Sequence, residues 1–164
     1  MFSRKITIGL ASVALLGAMN ANAELLKGDT EISGSLSIQE TETDFSDSET
    51  TFLLFTGGQM LTDNLQGILG ISMFESEGFT SGQFTFGADY LFSPRSELIP
   101  YVGGSYALSF GDQDDTDFLQ LKGGVKTFIS ETTSVFGEYR RLEAVDSDFD
   151  ITISTLAVGL SVKF

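Results

Sequence analysis

The sequence LAVGLSVKF at residues 156–164 decides the fold of this chain. Apolar residues occupy every second position of this stretch, and the residues between them are small or polar. The apolar set is Leu156, Val158, Leu160, Val162 and Phe164. Because successive side chains of a β-strand point to opposite faces of a sheet, this alternation predicts a strand with one apolar and one polar face.

The same alternation recurs along the chain and predicts eight strands in all. Three more are clear, at residues 31–38, 83–92 and 119–126, and four are weaker, at Thr51–Leu61, Leu65–Phe74, Leu98–Phe110 and Ser134–Leu142. Phe52 to Phe55 are apolar on both faces, which leaves the register of the second strand open and allows a bulge. Ile68 and Phe136 fall on otherwise polar faces.

The connections between the predicted strands alternate in character. Tight turns follow the second, fourth and sixth strands, at residues 62–64, 93–97 and 130–132. Acidic segments follow the odd-numbered strands, at Glu40–Glu49, Glu75–Thr80, Gly111–Asp117 and Glu143–Asp150, and hold 15 of the 23 acidic residues. In an up-and-down meander alternate connections emerge at opposite ends, so the acidic segments are expected to gather at one end.

Residues 1–23 read as a cleaved secretory signal peptide. Arg4 and Lys5 are followed by an apolar stretch from Ile6 to Met19 and by an A-x-A cleavage site at residues 21–23. The stretch is shorter than the about 20 residues that a spanning helix needs. We therefore expect an exported domain at residues 24–164.

Eight antiparallel strands with one apolar face suit either a soluble lipocalin-like barrel or a membrane barrel. The polar faces here consist mainly of Ser, Thr, Gly and Gln. On the exterior of a soluble protein, roughly a quarter to a third of the residues are charged. Aromatic residues lie toward strand ends, as in membrane-interface girdles, at Tyr90, Phe92, Phe110, Phe118 and Phe164. These features favour an all-β, eight-stranded antiparallel up-and-down transmembrane β-barrel.

The chain resembles the small bacterial outer-membrane β-barrels of the OmpX/OmpA transmembrane-domain type. The terminal strand that ends on Phe164 carries this resemblance, together with the strand opening Pro100-Tyr101-Val102-Gly103-Gly104. The resemblance implies a location in the outer membrane of a Gram-negative bacterium. It also implies that the assembly signal read by the barrel-assembly machinery consists of Leu156, Val158, Leu160, Val162 and Phe164.

Composition excludes several functions. The formal net charge of −14 without a basic cluster argues against nucleic-acid binding. With no Cys and no His, the chain has no disulfide, no zinc finger and no Ser-His-Asp or Cys-His nucleophile. We expect neither enzymatic activity nor a cofactor.

Two groups of charged residues are candidate sites. The alternation directs Glu31, Asp89, Lys122, Lys126, Glu138 and Arg140 into the lumen, where unpaired charges are costly, so we expect Glu31 and Glu138 to pair with the cations. The second group, in the acidic segments, offers oxygen ligands for weak Ca²⁺ or Mg²⁺ binding, or simply a solvated surface. Its members are Asp112, Asp114, Asp115, Asp117, Asp146, Asp148 and Asp150.

The sequence therefore predicts a monomeric, non-enzymatic outer-membrane barrel with a plugged polar lumen. Its acidic extracellular loops would serve a structural or surface-interaction role, in contact with outer-membrane lipid and lipopolysaccharide. Two alternatives stay open. One is a narrow channel for small or cationic solutes, and the other is a soluble periplasmic lipocalin-like binder.

Overall fold

A computed structural model describes residues 23–42, 47–76, 79–111, 116–145 and 152–164. These residues form eight β-strands in chain order. Their bounds are β1 Thr30–Glu42, β2 Asp47–Met60, β3 Leu65–Ser76, β4 Phe79–Leu91, β5 Leu98–Gly111, β6 Phe118–Phe128, β7 Thr133–Ala144 and β8 Thr152–Lys163. No helix within these ranges is long and apolar enough to cross a bilayer.

The strands close into one antiparallel barrel in which each strand pairs with its neighbours in sequence, and β8 pairs back with β1. The stagger of the barrel is seen by stepping from Ile32 to its directly paired residue on β2 and so on from strand to strand. After β8 this path returns to β1 at Glu42, ten residues beyond Ile32. This stagger requires strands tilted by about 40° to the barrel axis. The predicted eight-stranded up-and-down barrel is confirmed.

The apolar faces of the strands point outward. Leu69, Leu121 and Phe164 are among the most exposed side chains, at 69%, 62% and 73%. The residues that alternate with the exposed ones are mostly polar and buried in the lumen. A soluble barrel needs the opposite arrangement, so the lipocalin-like alternative is wrong. The apolar outward residues of β8 and its end run from Leu156 to Phe164, which at about 3.3 Å per residue and this tilt spans about 20 Å of the roughly 25 Å apolar band of a membrane barrel.

The second strand has a regular register. Leu53 and Phe55 face outward and Leu54 is buried in the lumen, and the pairing with β1 runs without a bulge from Thr30 to Glu42. From this doubly apolar stretch, Leu54 places an apolar side chain in the lumen.

Two of the segments predicted as acidic loops are mostly strand. In the first, β1 continues to Glu42 and β2 begins at Asp47. In the second, β3 continues to Ser76 and β4 begins at Phe79. Neighbouring strands are held together by backbone hydrogen bonds, which form whatever the side chains are. Paired strands can therefore continue beyond the apolar band although their residues there are polar. These acidic residues therefore lie partly on strand extensions and not on long loops.

The barrel has a turn end and a loop end. The turn end holds residues 61–64, 92–97 and 129–132, and the loop end is the opposite end, where the acidic segments lie. Both the N-terminal segment and Phe164 are at the turn end, because Thr30 and Phe164 exchange backbone hydrogen bonds there.

Candidate functional site in the barrel lumen

Six charged side chains from four strands meet in the middle of the lumen. Glu31 comes from β1, Asp89 from β4, Lys122 and Lys126 from β6, and Glu138 and Arg140 from β7. All six side chains have one tenth or less of their surface exposed. Three carboxylates thus face three cations, so the group is neutral as a whole.

Glu31 is the centre of one half of this network. Its Oε2 lies 2.7 Å from the ammonium of Lys126 and 2.6 Å from Nε2 of Gln66, which donates a hydrogen bond. The hydroxyl of Ser161 donates to its Oε1 at 2.8 Å. Both oxygens of this buried carboxylate are therefore satisfied, as a buried charge requires.

The other half is a chain of alternating charges. The ammonium of Lys122 lies 2.8 Å from Oδ2 of Asp89 and 3.9 Å from Oε2 of Glu138. Glu138 also pairs with the guanidinium of Arg140 and accepts a hydrogen bond of 2.9 Å from the hydroxyl of Tyr101. Glu31 and Glu138 are thus paired with cations, and Asp89 forms an additional pair with Lys122.

An apolar layer closes the lumen at the turn end. It is formed by Ala23, Leu25, Met60, Leu91, Ile99, Tyr101 and Phe128, all buried. Leu25 is 1% exposed although it precedes the first strand. The N-terminal segment, residues 23–29, therefore contributes a side chain to the barrel interior.

Hydrogen bonds hold the N-terminal segment in place. The amide of Leu25 donates to the carbonyl of Pro94 at 3.3 Å, and the ammonium of Lys163 donates to the carbonyl of Glu24 at 2.7 Å. The segment turns at Gly28, whose φ of 98° is in the left-handed region that glycine adopts without strain. The amide of Gly28 then donates to the carbonyl of Met60 at 2.9 Å.

A second apolar layer, formed by side chains of β5 to β8, lies on the loop-end side of the charges. Ala107, Phe118, Leu142 and Ile153 are buried together there, with Ala144 packed against them. Phe118 was expected in an outward aromatic girdle, and that prediction is wrong. Its position in β6 alternates with the outward Leu119 and so faces the lumen.

Between the two layers the charged group leaves a cavity of about 40 Å³. That volume holds only a few water molecules. Asp89 and Arg140 line this cavity, and Oδ1 of Asp89 and Nε of Arg140 have no hydrogen-bond partner among the residues that the structure describes.

Two residues of this lumen carried no functional prediction from the sequence. Tyr101 belongs to the strand opening Pro100-Tyr101-Val102-Gly103-Gly104, which served only as part of the family resemblance. Gln66 is one polar residue among many in the sequence. Alternation alone would have placed both on inward faces. Their partners depend on the stagger of the barrel, which the sequence does not display.

The remaining predicted site residues are placed only in part. Of the acidic candidates, Asp117 is described, and its Oδ2 accepts a hydrogen bond of 3.0 Å from the hydroxyl of Tyr106. Asp112, Asp114, Asp115, Asp146, Asp148 and Asp150 lie outside the described residues. Within the described part of the chain, no group of three or more acidic, Cys or His residues is arranged to hold a metal ion.

The five residues of the expected assembly signal are aligned on the outward face of β8 and its end. Leu156, Leu160, Val162 and Phe164 are exposed, and Val158 is half-buried. The C-terminal Phe164 is thus presented at the turn end.

The fold matches solved outer-membrane barrels over most of the chain. Neisserial surface protein A (NspA) matches with a TM-score of 0.71 at 15% identity, over 84% of this chain and 100% of that one. Ail of Yersinia pestis matches with 0.59 at 13%, over 85% and 100%. The N-terminal β-barrel domain of Pseudomonas aeruginosa OprF matches with 0.59 at 16%, over 82% and 98%. At these identities the likeness concerns the fold alone.

Sequence comparison gives the family. No curated protein matches the chain significantly. The model of the family described as outer membrane protein beta-barrel domain matches residues 8–164. The match covers all eight strands, and the apolar exterior agrees with it. The chain belongs to the outer membrane protein beta-barrel domain family.

Proposed function

We propose that this protein is a non-enzymatic outer-membrane barrel whose lumen is closed, and whose loop end is an outward surface for interactions. One observation carries the proposal. A neutral, mutually paired group of six charges lies between two apolar layers and leaves only about 40 Å³ of space. The absence of His and Cys supports a non-enzymatic role.

The lumen opposes ion passage in two ways. An ion would have to cross both apolar layers without its hydration shell, which is costly in a medium of low dielectric. It would also have to displace paired charges such as Glu31 and Lys126, which lie 2.7 Å apart. A barrel built in this way is stiffened by its interior and does not conduct through it.

Orientation follows from the connections. Short turns of outer-membrane barrels face the periplasm and longer excursions of the chain face outward. The connections are of similar length at both ends, but at the loop end β1 continues to Glu42 and β2 begins at Asp47, beyond the apolar band. The turn end, with the N-terminal segment, would then be periplasmic, and the acidic loop end would be extracellular. Its negative charge favours cationic partners over anionic ones. We further propose that residues 1–23 are removed on export, which takes Ala23 out of the turn-end layer and leaves Leu25 as its contribution from the N-terminal segment. Lipid and lipopolysaccharide would surround the barrel, and it would be a monomer recognised by the assembly machinery.

Planar-bilayer recording tests the closed lumen. The folded protein should give no stable unitary current steps. A variant with Ile99→Ala and Phe128→Ala is the sensitivity control, because it empties part of the turn-end layer and should increase conductance. Reproducible cation-selective steps from the unaltered barrel would refute the proposal and establish the channel alternative.

A further inference from the structure

The lipid-facing surface has a depression across β6, β7 and β8. Its volume is about 380 Å³, and its lining is mostly apolar. The outward residues that shape it are Gly123, Val125, Val135, Gly137, Tyr139 and Val158. Gly137 forms the floor, because a Cβ built on this residue would meet no atom within 4 Å. The directly paired neighbours of Gly137, Val125 and Val158, form the two sides.

The depression ends at the polar boundary of the barrel surface near the loop end. Tyr139 closes it there, and its hydroxyl is hydrogen-bonded to the hydroxyl of Ser154 at 2.9 Å. Ser154 is the first polar outward residue of β8 beyond the apolar run that starts at Leu156. Arg141 is the next outward residue of β7 and is 55% exposed. Tyr139 therefore separates the depression from Arg141 and from the loop-end boundary of the apolar band.

We propose that this depression binds an acyl chain of lipopolysaccharide, with a phosphate of the same molecule near Arg141. The proposal rests on the outward orientation of the loop end given above, because that orientation places Arg141 on the outer-leaflet side of the depression. An apolar recess inside a bilayer holds no water, so a lipid chain is the material available to fill it. A chain seated over Gly137 would lie between Val125 and Val158.

Arg141 offers one local cation to a lipid phosphate at this otherwise acidic end of the barrel. Arg141 pairs with Glu143 at 3.0 Å, but both side chains are more than half exposed. Exposed pairs of this kind contribute little, so a phosphate can compete for the guanidinium. Arginine forms two parallel hydrogen bonds to phosphate, which suits this position just beyond the apolar band.

Native mass spectrometry of the folded barrel in detergent tests the site. Lipopolysaccharide of the rough, short-sugar type and phosphatidylglycerol are added separately to the unaltered protein, to Gly137→Phe and to Leu69→Phe. Gly137→Phe fills the depression without a clash of its Cβ, and Leu69→Phe adds a ring to the same apolar band on β3. We expect one retained lipopolysaccharide on the unaltered protein and on Leu69→Phe, and at least about tenfold weaker retention on Gly137→Phe.

Equal retention by Gly137→Phe, equal retention of phosphatidylglycerol, or a dimer in place of a lipid adduct would each overturn the proposal. The orientation is tested separately by labelling Thr116→Cys on intact cells with an impermeant maleimide, which is feasible because the chain has no other cysteine. Labelling without lipid binding refutes the lipid site alone. Lipid binding without labelling refutes the orientation, and with it the assignment to the outer leaflet.

Discussion

Replacing Lys126 with methionine removes the counter-charge of Glu31 and keeps most of the side-chain volume. Glu31 is 3% exposed, and its Oε2 lies 2.7 Å from the Lys126 ammonium. Removing one partner of a buried ion pair typically costs about 3–5 kcal/mol, because the other charge stays buried without compensation. The hydrogen bonds from Gln66 and Ser161 remain, so we expect a loss of about 3 kcal/mol, at the lower end of that range.

The chain offers a matched control. Arg141 and Glu143 form an ion pair at 3.0 Å with both side chains more than half exposed. Arg141→Met should therefore cost no more than about 1 kcal/mol. The double variant Glu31→Gln with Lys126→Met removes both buried charges and should recover most of the loss, since a buried pair replaced by neutral groups is often nearly neutral in stability.

Urea unfolding of the barrel in lipid vesicles measures these effects. The folded fraction is read on gels as the fraction that migrates as a compact species in SDS without boiling, because a closed barrel has no free strand edge at which to open. If Lys126→Met unfolds at the same urea concentration as Arg141→Met, the lumen charges are solvated, and the description of a buried, paired network is wrong. If the double variant is no more stable than Lys126→Met, the loss does not come from the unpaired charge.

Three further predictions concern other parts of the barrel. Gly159→Ala should lower the free energy of unfolding in urea by about 1–3 kcal/mol, since its Cβ would lie 2.5 Å from the carbonyl oxygen of Gly34 and from the Phe136 ring. Gly137→Ala, whose Cβ would meet no atom within 4 Å, should lower it by no more than about 0.5 kcal/mol. Leu25→Asp should release the N-terminal segment and make trypsin cut faster after Lys27. The urea midpoint should fall less than in Lys126→Met, because residue 25 is in no strand. Unchanged cleavage would show that the segment is not held by this side chain. Phe164→Ala should lower the amount of protein in the outer membrane, while the free energy of unfolding of the refolded variant changes by no more than about 0.5 kcal/mol. Phe92→Ala is a control at the same end of the barrel. Equal amounts of the two variants in the outer membrane would argue against an assembly signal at Phe164.

Alternation was sufficient to predict the architecture. A period of two assigns every strand residue to a face, so the residues of β8 and the six lumen charges were placed inward or outward without knowledge of the neighbouring strands. The same rule gave eight strands, and the apolar exterior was predicted from the small, weakly charged polar faces and the aromatic residues near strand ends.

Features that depend on contacts between strands were not predictable. The pairing of Asp89 with Lys122 depends on the relative heights of β4 and β6, which the stagger of the barrel fixes. Phe136 seemed out of place on a polar face. Its ring fills the space beside Gly159, which is directly opposite on β8 and has no side chain.

The ends of the barrel were predicted least well. Leu25 lies outside any strand, so no periodic pattern indicated that it enters the lumen. Polar residues such as Thr41 and Ser48 continue the β1–β2 ladder, although their composition is typical of a loop. Both cases show packing and backbone hydrogen bonding overriding local sequence character.

The reactivity of a single cysteine at Ser105 tests the closed lumen most directly. Ser105 is buried on the inward face of β5, and Tyr101 of the turn-end layer and Ala107 of the loop-end layer flank it on the same face. Its hydroxyl has no hydrogen-bond partner, so a thiol replaces it at little cost. In detergent micelles, Ser105→Cys should stay unlabelled by a charged maleimide for the time in which Ser130→Cys, in an exposed turn, reacts to completion. Labelling of both cysteines at similar rates would mean a water-filled lumen and would contradict the account.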